Sequence, residues 1–188
     1  MTDSELIIRL REGSEDAFRE LVKAFSDRVY NTVLSIVHQQ QDAEDIAQDT
    51  FIQVYRSINS FEGNSALSTW IYRIAVNRSL DFLRSKKRQK RFAFITNIFG
   101  SDNEAERSAV EFHHPGAALD QKENAAILFS AIRKLPEKQQ AAFILNKTEG
   151  LSYHEIAAVM NITEAAVDAL LQRAKQNLRK LIDKRNIS

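Results

Sequence analysis

Ala17, Phe18, Leu21, Val22, Phe25, Val29, Val33 and Val37 recur at three- and four-residue spacing, which winds them into one apolar stripe along a long helix. Ser14, just after Gly13, stands where the N-cap of that helix belongs, and a shorter helix is predicted over Ser4 to Glu12. The polar run HQQQ ends the long helix. Asp42 is then placed to cap a third, DAEDIAQDTFIQVYRSI, in which Ala43, Ile46, Ala47, Thr50, Phe51, Val54 and Ile58 make the buried face. Its other side carries Glu44, Asp45, Gln48, Asp49, Gln53 and Arg56. Carboxylates in a first turn favour the helix dipole, so helix stabilisation alone accounts for several of them.

After the turn FEGNS, the stretch STWIYRIAVNRSLDFLRSKKRQK sorts at about 100° per residue into two opposed stripes. Tyr72, Ala75, Val76, Ser79, Phe82 and Leu83 form the face expected to be buried. Trp70, Arg73, Asn77, Asp81, Arg84 and Arg88 form the other. An aromatic ring, an amide and a ladder of guanidinium groups suit either a solvated surface or a grip on nucleic acid, and folding requires neither. From Phe92 to roughly Pro115 the periodicity fails, and GSDNEAERS and HHPG break the chain, so this stretch is predicted to be a flexible linker. The apolar FAFITNIF within it reads either as a continuation of the helix or as a segment that docks on a partner.

A second set of helices begins near Ala117. One runs through Ile127, Leu128, Ala131, Ile132 and Leu135 into Pro136, which suits the first position of the next, PEKQQAAFILNK. Gly150 breaks the chain, and Ser152 to Glu155 has the spacing of a capping box opening a short helix through Met160. Asn161, Ile162 and Thr163 then make a tight turn, with Thr163 as the N-cap of a last helix to about Ile182. Short helix, tight turn and longer basic helix is the helix-turn-helix pattern. Val167, Leu171, Ala174, Leu178 and Leu181 face the core of that unit. Asp168, Gln172, Lys175 and Arg179 line the opposite side.

Composition narrows the class. The chain has 188 residues, 44% hydrophobic and 27% charged, with no cysteine, 5 glycines and 2 prolines. That is room for two small helical domains, and it excludes disulfides, thiol catalysis and cysteine-ligated zinc. No apolar run spans a membrane and no signal-peptide pattern opens the chain, so a cytoplasmic protein is expected. The net charge of +1 hides a strong segregation: residues 1–62 carry 6 Lys+Arg against 12 Asp+Glu, residues 63–91 carry 8 against 1, residues 92–125 carry 2 against 6, and residues 126–188 carry 10 against 6. Two basic segments separated by an acidic one suggest two contacts with a polyanion. The four histidines, His38, His113, His114 and His154, fall in no metal-binding spacing, and no glycine-rich phosphate loop occurs, so neither a metal, a cofactor nor a catalytic site is expected.

Three stretches in order, AFRELV, DAEDIAQDTFIQVYRSINSFEGNSALSTWIYRIAVNRSLDFLR and LPEKQQAAFILNKTEGLSYHEIAAVMNITEAAVDALLQRAKQNLRK, resemble the extracytoplasmic-function sigma factors of the sigma-70 family. The resemblance covers nearly the whole chain. It implies an all-α fold of two domains: residues 1–91 as a region 2 helical bundle, residues 92–116 as a flexible acidic linker, and residues 117–188 as a region 4 domain with the helix-turn-helix. It further implies a promoter-specificity subunit of core RNA polymerase, with no active site of its own.

In that family the helix matching STWIYRIAVNRSLDFLR, with the FEGNSAL loop before it, melts the minus-ten promoter element and captures a flipped base. Asn77 matches a position associated with the base pocket, Trp70 and Tyr72 match aromatics near the melting surface, and Arg73, Arg78, Arg84, Lys87 and Arg88 become candidate DNA contacts. Periodicity buries Tyr72, which favours Trp70 as the stacking ring. The acidic helix gains a protein partner, the clamp coiled coil of the polymerase largest subunit, through Asp45, Gln48, Asp49, Gln53 and Arg56, while Phe51 is assigned to the core. The C-terminal domain would contact the polymerase flap and read the minus-thirty-five element as duplex, with Thr163, Asp168, Gln172, Arg173, Lys175 and Arg179 as candidates. Asp168 departs from the Arg or Lys that many relatives place near the start of this helix. An anti-sigma partner, in some relatives membrane-bound, is also implied. The alternative is a helix-turn-helix regulator that binds duplex DNA without the polymerase, which would leave the face of Trp70, Asn77 and Arg84 unused.

Overall fold

The computed structural model describes the backbone of residues 3–97 and 127–186, and side chains over 3–90 and 127–183. Every regular element among them is helical. Helix α1 (Asp3–Arg11) leads through Gly13 into α2 (Glu15–Val37), where the Ser14 hydroxyl accepts a hydrogen bond from the Ala17 amide at 3.3 Å, as a Ser N-cap should. His38 closes α2 in the left-handed conformation, φ 65°, and returns its amide to the Leu34 carbonyl. Helix α3 (Gln40–Ser57) then starts two residues before the predicted cap. Gln39 holds the N-cap position without a side-chain bond, and Asp42 lies inside the first turn, where it pairs with Lys86 at 2.9 Å. Tertiary pairing has claimed the carboxylate that local chemistry would assign to capping.

A short 3₁₀ turn (Ile58–Ser60) and the loop at 61–66 lead into α4 (Leu67–Asn97). The backbone of 92–97 continues this helix, so the first part of FAFITNIF is its extension; the remainder of the expected linker, and the chain to residue 126, lie outside the described residues. The periodicity reading of α4 holds for Tyr72, Ala75, Val76 and Ser79, all buried, and for Asn77, Asp81, Arg84 and Arg88, all exposed. Ile71 and Leu80 are buried too, beyond the predicted stripe. The reason is packing on two sides: α4 meets α2 and α3 and also a helix from the far end of the chain.

In the second half, a helical stretch α5 (127–132) turns through Leu135 and Pro136 into α6 (Glu137–Lys147). Pro136 occupies the N-cap rather than the first helical position, with extended backbone at ψ 139°. Helix α7 (Tyr153–Met160) opens with the full capping box: Ser152 and Glu155 exchange bonds in both directions. Asn161 turns the chain at φ 53°, and the Thr163 hydroxyl accepts from the Ala166 amide at 3.2 Å to start α8 (Glu164–Asn186).

The two halves share a core. One cluster of buried residues runs without interruption from Leu6 and Leu21 through Ile71 and Tyr72 to Ile144, Ile156, Val159 and Leu171, and a smaller one joins Ala131, Ile132 and Leu135 to Ala174 and Leu178. Helix α7 packs on α4, and α6 packs on α2 and α4. This contact between the halves is not foreseen in a reading of two domains joined by a tether.

Candidate nucleic-acid interface

The loop between α3 and α4 is held from behind. Arg11 donates to the Phe61 carbonyl, and Phe61 is buried against Trp70 with ring centroids 5.1 Å apart and planes inclined by 41°. Gly63 makes the turn at φ 77°, a left-handed conformation that strains any residue with a Cβ. Beyond it, the Asn64 amide donates to Glu62 at 2.8 Å. Loop and helix together border a cleft of about 430 Å³ lined by Phe61, Asn64, Ser65, Thr69, Trp70 and Arg73 on one side and by His154, Glu155 and Ala158 of α7 on the other. Two polar atoms at this cleft are buried without a hydrogen-bond partner among the described residues: Thr69 Oγ1, on a residue only 1% exposed, and Arg73 Nε. Native proteins rarely leave buried donors unmatched, and a half-buried indole with Asn64, Ser65 and Arg73 on the cleft wall suits a planar ligand with a polar edge.

Further along α4 the predicted residues separate into two more groups. Asn77 and Arg78 share a groove with Asp49 and Gln53 of α3, and Arg78 donates to Asp49 at 3.0 Å and to Gln53 at 3.3 Å. Arg84, Lys87 and Arg88 line an exposed basic cleft with Asp81, which pairs with Arg84 at 3.0 Å. Trp70 and Arg73 thus belong to the loop cleft, whereas Asn77 belongs to a groove it shares with α3. Ser65 and Thr69 of the loop cleft escape a search of sequence for aromatic, amide and basic groups, because a hydroxyl carries no such signal until its burial is known.

On α3, Asp45, Gln48, Asp49 and Arg56 are exposed and Gln53 is half-buried. Between them stand two apolar side chains that sequence reading passed over: Ile52, 40% exposed, and Tyr55, 48% exposed with its ring edge-on to Phe18. Wound at about 100° per residue, Asp45, Gln48, Asp49, Tyr55 and Arg56 all fall within about 60° of Ile52. An apolar centre with a charged rim is the composition of a protein-binding face.

On α8, Arg173, Lys175 and Arg179 are fully outward, and Gln172 is exposed with its amide donating to Asp168 at 2.8 Å. Asp168 is half-buried and acts as the support of Gln172, which explains an acid at this point of a basic helix. Thr163 spends its hydroxyl acceptor on the cap of α8.

Comparison with known proteins shows the family. Residues 21–89 match the family model for Sigma-70 region 2, and residues 125–178 match that for Sigma-70, region 4. The RNA polymerase sigma-H factor of Pseudomonas aeruginosa is 32% identical over 96% of this chain and 93% of its own length. The ECF RNA polymerase sigma-E factor of Salmonella typhimurium is 34% identical over 94% of this chain and 92% of its own. Among solved structures, that of CnrH in complex with the cytosolic domain of CnrY superposes with a TM-score of 0.69 over 97% of both chains at 22% identity. That of the sigma factor RpoE with the anti-sigma factor NepR from Bartonella quintana gives 0.68 over 88% of this chain and 96% of its own at 23% identity, a likeness of fold. Because the matches run through both halves, they favour a polymerase subunit over a free-standing helix-turn-helix regulator. The chain belongs to the extracytoplasmic-function sigma factors, the group of the sigma-70 family whose members direct bacterial RNA polymerase to promoters.

Proposed function

We propose that the loop cleft receives the flipped base of the minus-ten element. The observation that carries this is a cleft that brings the half-buried Trp70 ring together with Asn64, Ser65 and Arg73. A base swung out of the duplex offers a flat face to the indole and polar edges to these side chains, and arginines along α4 offer charge to the strand that carries it. Asn77 and Arg78, farther along the helix, then meet the neighbouring nucleotides, and Arg84, Lys87 and Arg88 meet backbone phosphate. The loop and α4 as far as residue 91 belong to a region 2 domain spanning residues 1–91, and the last turns of α4 run past it.

The outward face of α3 docks on the polymerase clamp coiled coil, with Ile52 and Tyr55 as its apolar centre and Asp45, Gln48, Asp49 and Arg56 as its rim. The region 4 domain, residues 117–188, uses α8 in the major groove of the minus-thirty-five element. Gln172, held by Asp168, points at base edges there, while Arg173, Lys175 and Arg179 contact phosphate. The protein works in the cytoplasm, contributes no catalytic group, and is restrained by an anti-sigma partner of the kind in the CnrH and RpoE complexes. Among the described residues no helix is long and apolar enough to cross a membrane.

In vitro transcription with core polymerase and fragmented DNA from the source organism tests the reading. Start sites should appear only when both proteins are present. Trp70→Ala should abolish strand opening at those sites, read by permanganate reactivity of unpaired thymines, while lowering polymerase affinity by less than about twofold. Equal loss of both would remove the base pocket from α4.

A further inference from the structure

The turn between α6 and α7 places one carboxylate inside the other half of the molecule. The Glu149 side chain is 5% exposed, and it is held by Arg28, Thr32 and Tyr72 of the N-terminal bundle. Thr32 Oγ1 donates to its Oε1 at 2.8 Å, Arg28 donates to its Oε2 at 3.3 Å, and the Tyr72 hydroxyl donates to the same oxygen. The Arg28 guanidinium also lies over the Tyr72 ring, 5.7 Å from its centre. A buried carboxylate with three donors is strongly held, and loss of those donors would leave an unpaired charge in an apolar contact. Further bonds join the halves: Gln140, 2% exposed, donates to the Ser35 carbonyl at 2.9 Å and lies 2.8 Å from the His38 ring nitrogen Nε2, and Lys87 pairs with Glu137 at 2.7 Å.

The charges at this contact have a sense. Arg28 and Lys87 of the N-terminal bundle meet Glu149 and Glu137 of the second half. Glu155 lines the loop cleft opposite Arg73, and its hydrogen bonds from Ser152 hold its carboxyl below the usual range, so it stays charged. A carboxylate facing into a cleft meant for a nucleic acid strand repels the phosphates on either side of the base. Helix α7 also forms the far wall of the cleft, through His154, Glu155 and Ala158.

We infer that Glu149 is the bolt of an autoinhibitory closure, in which the region 4 domain covers the base pocket of region 2 until the two are drawn apart. The inference rests on the loop cleft being the base pocket. In the closed form Lys87 is paired with Glu137 and Glu155 faces the loop cleft, so the free protein binds single strands weakly. Opening raises the apparent affinity by the inverse of the open fraction, about tenfold if one molecule in ten is open at rest.

The full-length chain tests this directly. It has no cysteine, so dyes placed by K23C on α2 and Q176C on α8, both exposed positions, report the distance between the halves by single-molecule energy transfer. Glu149→Ala should move the distribution to longer distances and tighten binding of short fluorescein-labelled single-stranded DNA of random sequence by about tenfold. The paired change T32V and Y72F, which removes two donors from the opposite side with little change of shape, should do the same, and a thermal melt of each variant verifies that it is folded. An unchanged distance distribution in both folded variants overturns the bolt. A longer distance with unchanged strand affinity overturns the shielding. Adding Trp70→Ala to the opened chain separates the two ideas: unchanged strand affinity there would move the base pocket elsewhere and leave the closure standing.

Discussion

Arg78 and Asp49 belong to two different surfaces and to one ion pair. Both are partly exposed, and a pair in such a setting contributes roughly 0.2–1 kcal/mol, too little to decide the fold. Its value is geometric, since together with Gln53 it fixes the Arg78 side chain of α4 against α3. Asp49→Arg alone therefore changes two things at once, the rim of the docking face and the posture of Arg78. The charge swap D49R with R78D restores the pair and separates them. If Asp49 touches the polymerase directly, the swap should leave thermal stability within about 0.5 kcal/mol of wild type. Polymerase affinity should stay weakened by about tenfold or more, as loss of a contact in the face predicts. Recovery of affinity in the swap would reassign Asp49 to positioning Arg78, and a binding titration against core polymerase distinguishes the outcomes.

At the scale of the helix, what could be read from the sequence follows the range of the forces involved. Helices α2, α7 and α8 are legible because their caps are local: Ser14, the Ser152–Glu155 box and Thr163 each bond within three residues. The start of α3 is misjudged because Gln39 offers no cap signal and Asp42 is held by Lys86, 44 residues away. Ile52 is missed because an isolated apolar residue on an amphipathic helix is ambiguous between core edge and exposed centre until a neighbour is known. Glu149 is least legible of all, since its partners stand 77, 117 and 121 residues distant and nothing in the turn TEG announces them.

The end of α2 carries a pH dependence that belongs to this scale. His38 turns the chain in the left-handed conformation and has its ring against Gln140 of α6, with Arg133 nearby. Burial first, and the Arg133 charge second, lower its pKa from 6.5 to about 4, against a smaller opposing effect of the Gln140 hydrogen bond. Between those two values the unfolded chain takes up a proton that the folded chain refuses. The stability this site contributes is complete above pH 6.5 and is lost progressively as pH falls toward 4. His38→Asn keeps a side chain that tolerates the left-handed backbone and removes the titration. Denaturation midpoints measured across that range should fall less steeply in the variant than in wild type, and parallel curves would place the titration elsewhere.

For the whole molecule, the shared core changes what unfolding should look like. Two domains on a tether melt independently, whereas a buried cluster that runs from Leu21 through Tyr72 to Ile156 couples them. Calorimetry of the wild type should therefore give one cooperative transition, with the van't Hoff and calorimetric enthalpies in agreement. Glu149→Ala should split it into two, because the halves then lose the polar seam that holds their apolar surfaces in register. Two transitions in the wild type would show that the halves fold and melt apart despite their contact.

The exposure of Ile52 and Tyr55 on α3 has a bearing on the order of events. These side chains face outward in the same form in which α7 walls the loop cleft, so under the proposed closure the docking face is already open to the polymerase. Recruitment then need not wait for opening, and the two steps run in series, each with its own clock. The association rate with core polymerase should be indifferent to whether the halves are bolted, while the lag before the first transcript should shorten when they are not.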